Sequence, residues 1–126
     1  MQELPFGTAI ATARREIGLT QQDVIDRTAE ILARQGRRAI GISYLSKLEN
    51  NRMEPPSVPV IQALASVLKL DEDNLLAIAG RSPVDVGELL MTSMGARRFF
   101  RAAVNRGVSD SRWEQLLKII ATHSNK

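Results

Sequence analysis

Between residues 8 and 80 the chain shows short apolar stripes at helical spacing, all but the fourth closed by glycine, paired asparagines or paired prolines. Helices this short are marginal alone and need tertiary packing on their apolar sides, so the pattern demands a compact helical domain. Ile10, Ala13, Ile17 and Leu19 mark a first helix from about Thr8, ended by Gly18. Thr20 then stands as an N-cap before Gln21, Gln22 and Asp23, close to a capping box. The second stripe runs through Val24, Ile25, Thr28, Ile31, Leu32 and Gln35, with Arg34 in the last turn and Gly36 beyond it. After the turn GRRAIG, Ile42, Leu45 and Leu48 form the packed face of a third, short helix that stops near Asn50–Asn51. Pro55–Pro56 forbids its continuation. Ser57 caps a fourth helix with Val60, Ile61, Leu64, Ala65, Val67 and Leu68 inside, and Asp71 caps a fifth whose acidic first turn suits the helix dipole. The expected fold class is all-α.

Composition agrees. In 126 residues, apolar side chains make up 44% and aromatics only 4%, so the core is aliphatic, without period-two runs of β-branched residues. No cysteine is present, which excludes disulfides and thiolate metal sites. The N-terminal residues lack the pattern of a signal peptide, and the longest apolar run is far short of a membrane span; the expectation is a cytoplasmic, soluble protein. The net charge of +3 is unevenly spread: residues 1–80 hold nine basic and ten acidic side chains, residues 81–126 eight and four. An anion-binding surface in the first part must therefore arise from local clustering, and the basic pI alone does not point to nucleic acid.

The best boundary signal is Gly80-Arg81-Ser82-Pro83, dividing a domain over 1–80 from an appendage over 81–126. Three weaker helices are expected beyond it: Val84 to about Thr92, Ala96 to about Asn105, and Asp110 to about His123, the last capped by Ser109. A segment of some 45 residues rarely holds a core alone, so it packs on the first part or on a second copy.

Five helices in the first eighty residues, with a short connection from the second to the third, are the layout of a helix-turn-helix module. The pieces GLTQQDV (Gly18–Val24), YLSKLENNR (Tyr44–Arg52), PSVPVIQALASVLKL (Pro56–Leu70) and DEDNLLAIAG (Asp71–Gly80) together resemble the Cro/CI-type, or XRE-type, helix-turn-helix regulators over roughly residues 8–80. The resemblance implies a five-helix, lambda-repressor-like domain that binds double-stranded DNA. A helix that enters the major groove must be short, polar outside and firmly packed inside. On that reading Ser43, Tyr44 and Lys47 face out: Lys47 reaches guanine, Ser43 most base edges, Tyr44 a thymine methyl or a phosphate. A lone helix of this kind would fit a solvated structural face better; its place within the five-helix pattern favours groove reading. By the resemblance Gln21, with Gln22, lies at a phosphate-binding helix N-terminus, and Asn50, Asn51 and Arg52 match positions that grip the phosphate chain. Read without it, they are an N-terminal polar pair, a turn and a surface charge. Glu49 is implied to pair with Arg14 of the first helix as a structural clamp.

The chain departs from the family in one respect. From Gln21 to Glu49 it is about ten residues longer than a pattern joining the two helices by ~3–4 residues, and the surplus falls mainly in a lengthened second helix. Arg34, Arg37 and Arg38 then precede the recognition helix. Arg37 and Arg38 either reach a neighbouring phosphate run or minor groove, or simply solvate a helix end.

In the appendage, Arg97, Arg98, Arg101 and Arg106 oppose Phe99, Phe100, Ala103 and Val104 on one helix. An auxiliary DNA contact, a membrane-surface helix and a soluble face over a core all fit, the last being preferred. Phe99, Phe100, Trp113, Leu117 and Ile120 are the candidate dimer or partner interface, or pack on the fifth helix, with Met91 and Met94 as adaptable neighbours. The leading expectation is a homodimeric repressor on a palindromic operator; the alternative is an antitoxin or adaptor that holds a protein partner through its tail. An enzyme is the poorest reading, because His123 is the sole histidine and no base, nucleophile, metal set or phosphate loop accompanies it, and no cofactor is expected.

Overall fold

The computed structural model describes residues 4–123, and every regular element among them is a helix. The chain divides between Val84 and Asp85 into two compact units, four residues beyond the glycine that marks the boundary in sequence. The first contains α1 (Phe6–Glu16), α2 (Gln21–Arg34), α3 (Ile42–Glu49), α4 (Val58–Leu68) and α5 (Glu72–Ile78).

Local chemistry sets these boundaries. Thr20 and Asp23 form a full capping box: Thr20 Oγ1 accepts the Asp23 N–H at 3.0 Å, and Asp23 Oδ2 accepts the Thr20 N–H at 2.9 Å. Those hydrogen bonds hold the Asp23 carboxyl below its ordinary pKa, the backbone N–H of Thr20 foremost. Asp71 caps α5 by accepting the Asn74 N–H at 2.9 Å. Ser57 occupies the N-cap of α4 but makes no side-chain capping bond, so its expected role as a cap reduces to backbone position; Pro59 in the first turn needs no donor there. α1 begins at Phe6, two residues earlier than its stripe suggests, because Phe6 is itself a core residue.

The core of this unit is aliphatic and continuous. Ile10, Val24, Leu45, Leu48, Ile61, Leu64, Leu68, Leu75 and Leu76 are buried together, with Phe6 at one edge. α4 packs against α1, α2 and α5, and α3 against α1 and α2. Thr28, the buried hydroxyl of α2, is satisfied within its own helix by the Val24 carbonyl at 2.7 Å. Two stripe residues lie outside this core: Ile17 and Gln35 are exposed, each at the C-cap, where the helical register no longer governs where the side chain points.

The second unit holds the rest of α6 (Val84–Thr92) with α7 (Met94–Arg106) and α8 (Asp110–Thr122). Ser93 caps α7 through the Ala96 N–H at 3.1 Å, moving its start two residues ahead of the sequence expectation, and Ser109 caps α8 through the Arg112 N–H. Phe99, Phe100 and Trp113 form an aromatic cluster with centroids 5.3 to 6.3 Å apart. Even so, Ala103 is the one residue of α6–α8 that is buried. Val104 is exposed, one helical turn beyond Phe100. Among the described residues, no helix is long and apolar enough to cross a membrane.

Candidate nucleic-acid interface

The third helix is held from one side only. Leu45 and Leu48 are sunk in the core, and Glu49 lies beside them with its side chain 4% exposed. The charge is fully answered. Arg14 Nε donates to Glu49 Oε2 at 2.7 Å and Arg14 Nη2 to Oε1 at 2.9 Å, a two-pronged clamp. Gln21 Nε2 donates to the same Oε1 at 2.9 Å, and Arg14 Nη1 donates to the Leu19 carbonyl at 2.9 Å. One carboxylate thus binds the end of α3 to α1 and to the start of α2. Burial pushes the Glu49 carboxyl up, but the Arg14 and Gln21 hydrogen bonds, with the charges of Arg14 and Arg15, outweigh it and leave its pKa below the ordinary value. The hydrogen bond to Glu49 correspondingly raises that of Arg14.

The C-terminus of α3 is locked as firmly. Asn51 adopts the left-handed conformation at φ 58°, the Asn51 N–H donates to the Leu48 carbonyl at 3.0 Å, and the Arg52 N–H donates to the Lys47 carbonyl at 2.9 Å. The Asn51 side chain then reaches across to α1: Oδ1 accepts the Gly7 N–H at 2.9 Å and Nδ2 donates to Thr8 Oγ1 at 2.9 Å. Asn51 is therefore the side-chain cap of α1, with both the oxygen and the nitrogen of its exposed amide hydrogen-bonded to that helix. Gly7 is required for this junction, since a Cβ there would overlap the Leu48 carbonyl oxygen.

The opposite side of α3 is open. Ile42, Ser43, Lys47 and Asn50 are exposed, and Ser46 is half-buried between them. Ile42, assigned to the packed face by its spacing, is 45% exposed, whereas Tyr44, assigned outward, is half-buried against the core, where burial raises its hydroxyl pKa. The two exchange roles because positions 42, 45 and 48 advance by three, and each such step drifts about 60° around a helix. The inward set, half-buried Tyr44 with buried Leu45, Leu48 and Glu49, keeps the true period. Asn50 is partly used, donating to the Ser46 carbonyl at 2.8 Å.

Around this face the other candidates are distributed unevenly. Gln21 is half-buried and its amide nitrogen is committed to Glu49, so it enters the site mainly as a brace. Gln22 is exposed and hydrogen-bonds Asp26 at 2.9 Å. The lengthened α2 spans 14 residues and ends in Arg34; Arg34, Arg37, Arg38 and Arg52 are all exposed, and none enters an ion pair among the described residues. No three His, Cys, Asp or Glu side chains gather as a metal site requires among those residues. Sequence reasoning missed Gly7 and Asn51 as a pair; they lie 44 residues apart and leave no local pattern.

No family model matches the chain. Among solved structures the chain is similar to one titled a SinR protein/SinI protein complex, at 21% identity and a TM-score of 0.46, with 92% of this chain and 94% of that one covered. Among curated proteins it is 29% identical over 123 residues to the uncharacterized HTH-type transcriptional regulator RghRB of Bacillus subtilis (strain 168), a match that spans 90% of this chain and 81% of the relative. The first unit resembles an XRE-type helix-turn-helix in the order of its helices. Its two signature helices are α2 and α3, with α1, α4 and α5 as the scaffold, and the Arg14–Glu49 clamp implied by the resemblance is present at its centre. The chain departs from the pattern it resembles in its long α2 and the exposed arginine-bearing turn that follows it. The relative is named a regulator rather than an enzyme.

Proposed function

We propose that the chain is a sequence-specific, double-stranded-DNA-binding transcriptional regulator that acts in the cytoplasm as a homodimeric repressor on a palindromic operator. One observation carries this reading: α3 is immobilised through Leu45, Leu48 and Glu49 while Ile42, Ser43, Lys47 and Asn50 stand free on the other side. A major groove admits a helix so held, and those side chains match what it displays: Lys47 for guanine acceptors, Ser43 for either donor or acceptor edges, Ile42 for the thymine methyl. Gln22, Asn50 and Arg52 flank the helix as phosphate contacts, with Gln21 sharing that role through its helix N-terminus. Arg37 and Arg38 extend the basic border beyond the family pattern. Two copies present two such helices one turn of DNA apart, and occupancy of a promoter is the whole output.

Selection of bound sites from random duplex DNA, with light scattering of the free protein, tests the proposal. An inverted half-site repeat and a dimer mass support it; failure of any duplex to outcompete scrambled sequence overturns it.

The exposed apolar surface of α6–α8 favours a second reading, an antitoxin or adaptor that holds another protein through its tail. Co-purification of a stable partner with weak duplex binding would put that reading first.

A further inference from the structure

The tail unit leaves its apolar side chains uncovered. Along α6, Val84, Val86, Leu89 and Met91 are exposed, the last at 78%, and no residue of that helix is buried. An open groove of about 650 Å³ lies along α7, with Leu90, Phe100 and Val104 as its apolar lining and Arg97, Arg98 and Arg101 as its charged one. Such a surface needs a complement.

The charges say which complement. α6 carries Asp85 and Glu88 and no basic residue; α7 carries four arginines and no acid. Within one chain, none of these acids forms an ion pair with those arginines. The faces also match in pattern. Val84, Glu88 and Met91 recur at the spacing of one helical stripe, an acid between two apolar residues, with Asp85 and Leu89 on the adjoining stripe. Arg97, Arg101 and Val104 form the corresponding stripe of α7, with Arg98 beside it. Arg97 is fixed over the end of its own α6, donating to the Leu90 and Met91 carbonyls at 2.9 Å each, so the groove is shaped before anything enters it.

We infer that the α7 groove receives α6 of a second copy of this chain, in a reciprocal exchange that sets Asp85 and Glu88 of each copy against Arg98 and Arg101 of the other. This rests on the homodimer reading above and specifies its interface. The arrangement is isologous: each copy gives the same helix and offers the same groove, so both faces are covered at once and assembly closes at two. Opposed charges then select the register and speed the encounter.

The full-length chain provides the test. One variant carries Asp85→Arg and Glu88→Arg, the other Arg98→Glu and Arg101→Glu; Arg97 is left intact because it shapes the groove. Sedimentation equilibrium should show each variant alone self-associating at least about tenfold more weakly than the natural chain, since like charges then face each other. Mixed in equal amounts, the two should form a heterodimer of near-natural affinity, because both exchanged contacts become complementary again. Circular dichroism of each variant reports whether its helices persist. Homodimers of undiminished affinity, or no hetero-association between two variants that keep their helical content, would overturn the inference, and so would a monomeric natural chain. A natural dimer that binds no specific duplex would instead remove the DNA-binding reading and leave this interface standing.

Discussion

Asn51 and Gly7 join the end of α3 to the beginning of α1: the Asn51 side-chain oxygen accepts the Gly7 N–H at 2.9 Å while its own backbone sits in the left-handed region. Two demands therefore fall on one side chain. Asn51→Gly keeps the backbone conformation and loses the cap, a cost of about 1 kcal/mol. Asn51→Ala loses both and should cost about 1 kcal/mol more. Urea denaturation should rank the natural chain above Asn51→Gly and that above Asn51→Ala. Equal stability of the natural chain and Asn51→Gly would show that the cap contributes nothing.

Gly7→Ala attacks the same junction from the other side. The new methyl group meets backbone, the Leu48 carbonyl, which cannot rotate away. A loss of about 1–3 kcal/mol is expected, of the size seen when tightly packed sites are overfilled, and a Tm unchanged from the natural chain would contradict the close approach.

The Arg14–Glu49 clamp makes stability depend on pH in a definite direction. Because the folded state holds the Glu49 carboxyl below its ordinary pKa, its contribution is complete above the usual carboxylate range and is lost as pH falls through that range to the lower folded value. Glu49→Ala at neutral pH strands Arg14 and should cost about 3 kcal/mol. The stability gap between the natural chain and Glu49→Gln should narrow on acidification, measured by urea denaturation at a series of pH values. A gap that stays constant or widens towards acid would refute the assignment.

On the open face of α3, Lys47→Ala should reduce discrimination between the selected site and random duplex by about 1–3 kcal/mol if Lys47 reads a base edge. An equal loss on both DNAs makes it a phosphate contact. Ile42→Ala should blunt the preference for thymine over uracil at one position of the site, because the C5 methyl is what an exposed isoleucine can touch there. Unaltered sensitivity to that methyl would exclude Ile42 from the groove.

Arg37 and Arg38 form a separate test, because their turn is an addition to the usual pattern. Replacing both with alanine should make the plot of log affinity against log salt shallower by up to about two phosphate contacts. An unchanged slope would assign them to solvation of the α2 terminus.

What was legible in sequence is what short-range chemistry writes. The Thr20–Asp23 box, the stop at Gly18 and the Asp71 cap each sit within a few residues of their partners, and the helices they delimit lie close to where those residues place them. The long α2 showed itself through a stripe that persists to Leu32, which is fully buried. Ile42 and Tyr44 were exchanged because an eight-residue helix offers too few turns to separate a spacing of three from the true period. Gly7 meeting Leu48 and Asn51, and Arg81 donating to the Pro55 carbonyl at 3.0 Å, depend on how distant segments approach, and no local pattern encodes that. The resemblance supplied Glu49 and its partner; it did not supply the use of Gln21 as their third member.

That third member has a mechanical consequence. One carboxylate wired to α1 and to the start of α2, and an asparagine two residues further on stitched back to α1, both anchor the C-terminal end of α3. Tilting that end would break the charged contacts and uncap α1 together. Within one copy the placement of α3 therefore cannot be altered without loosening the fold that carries it.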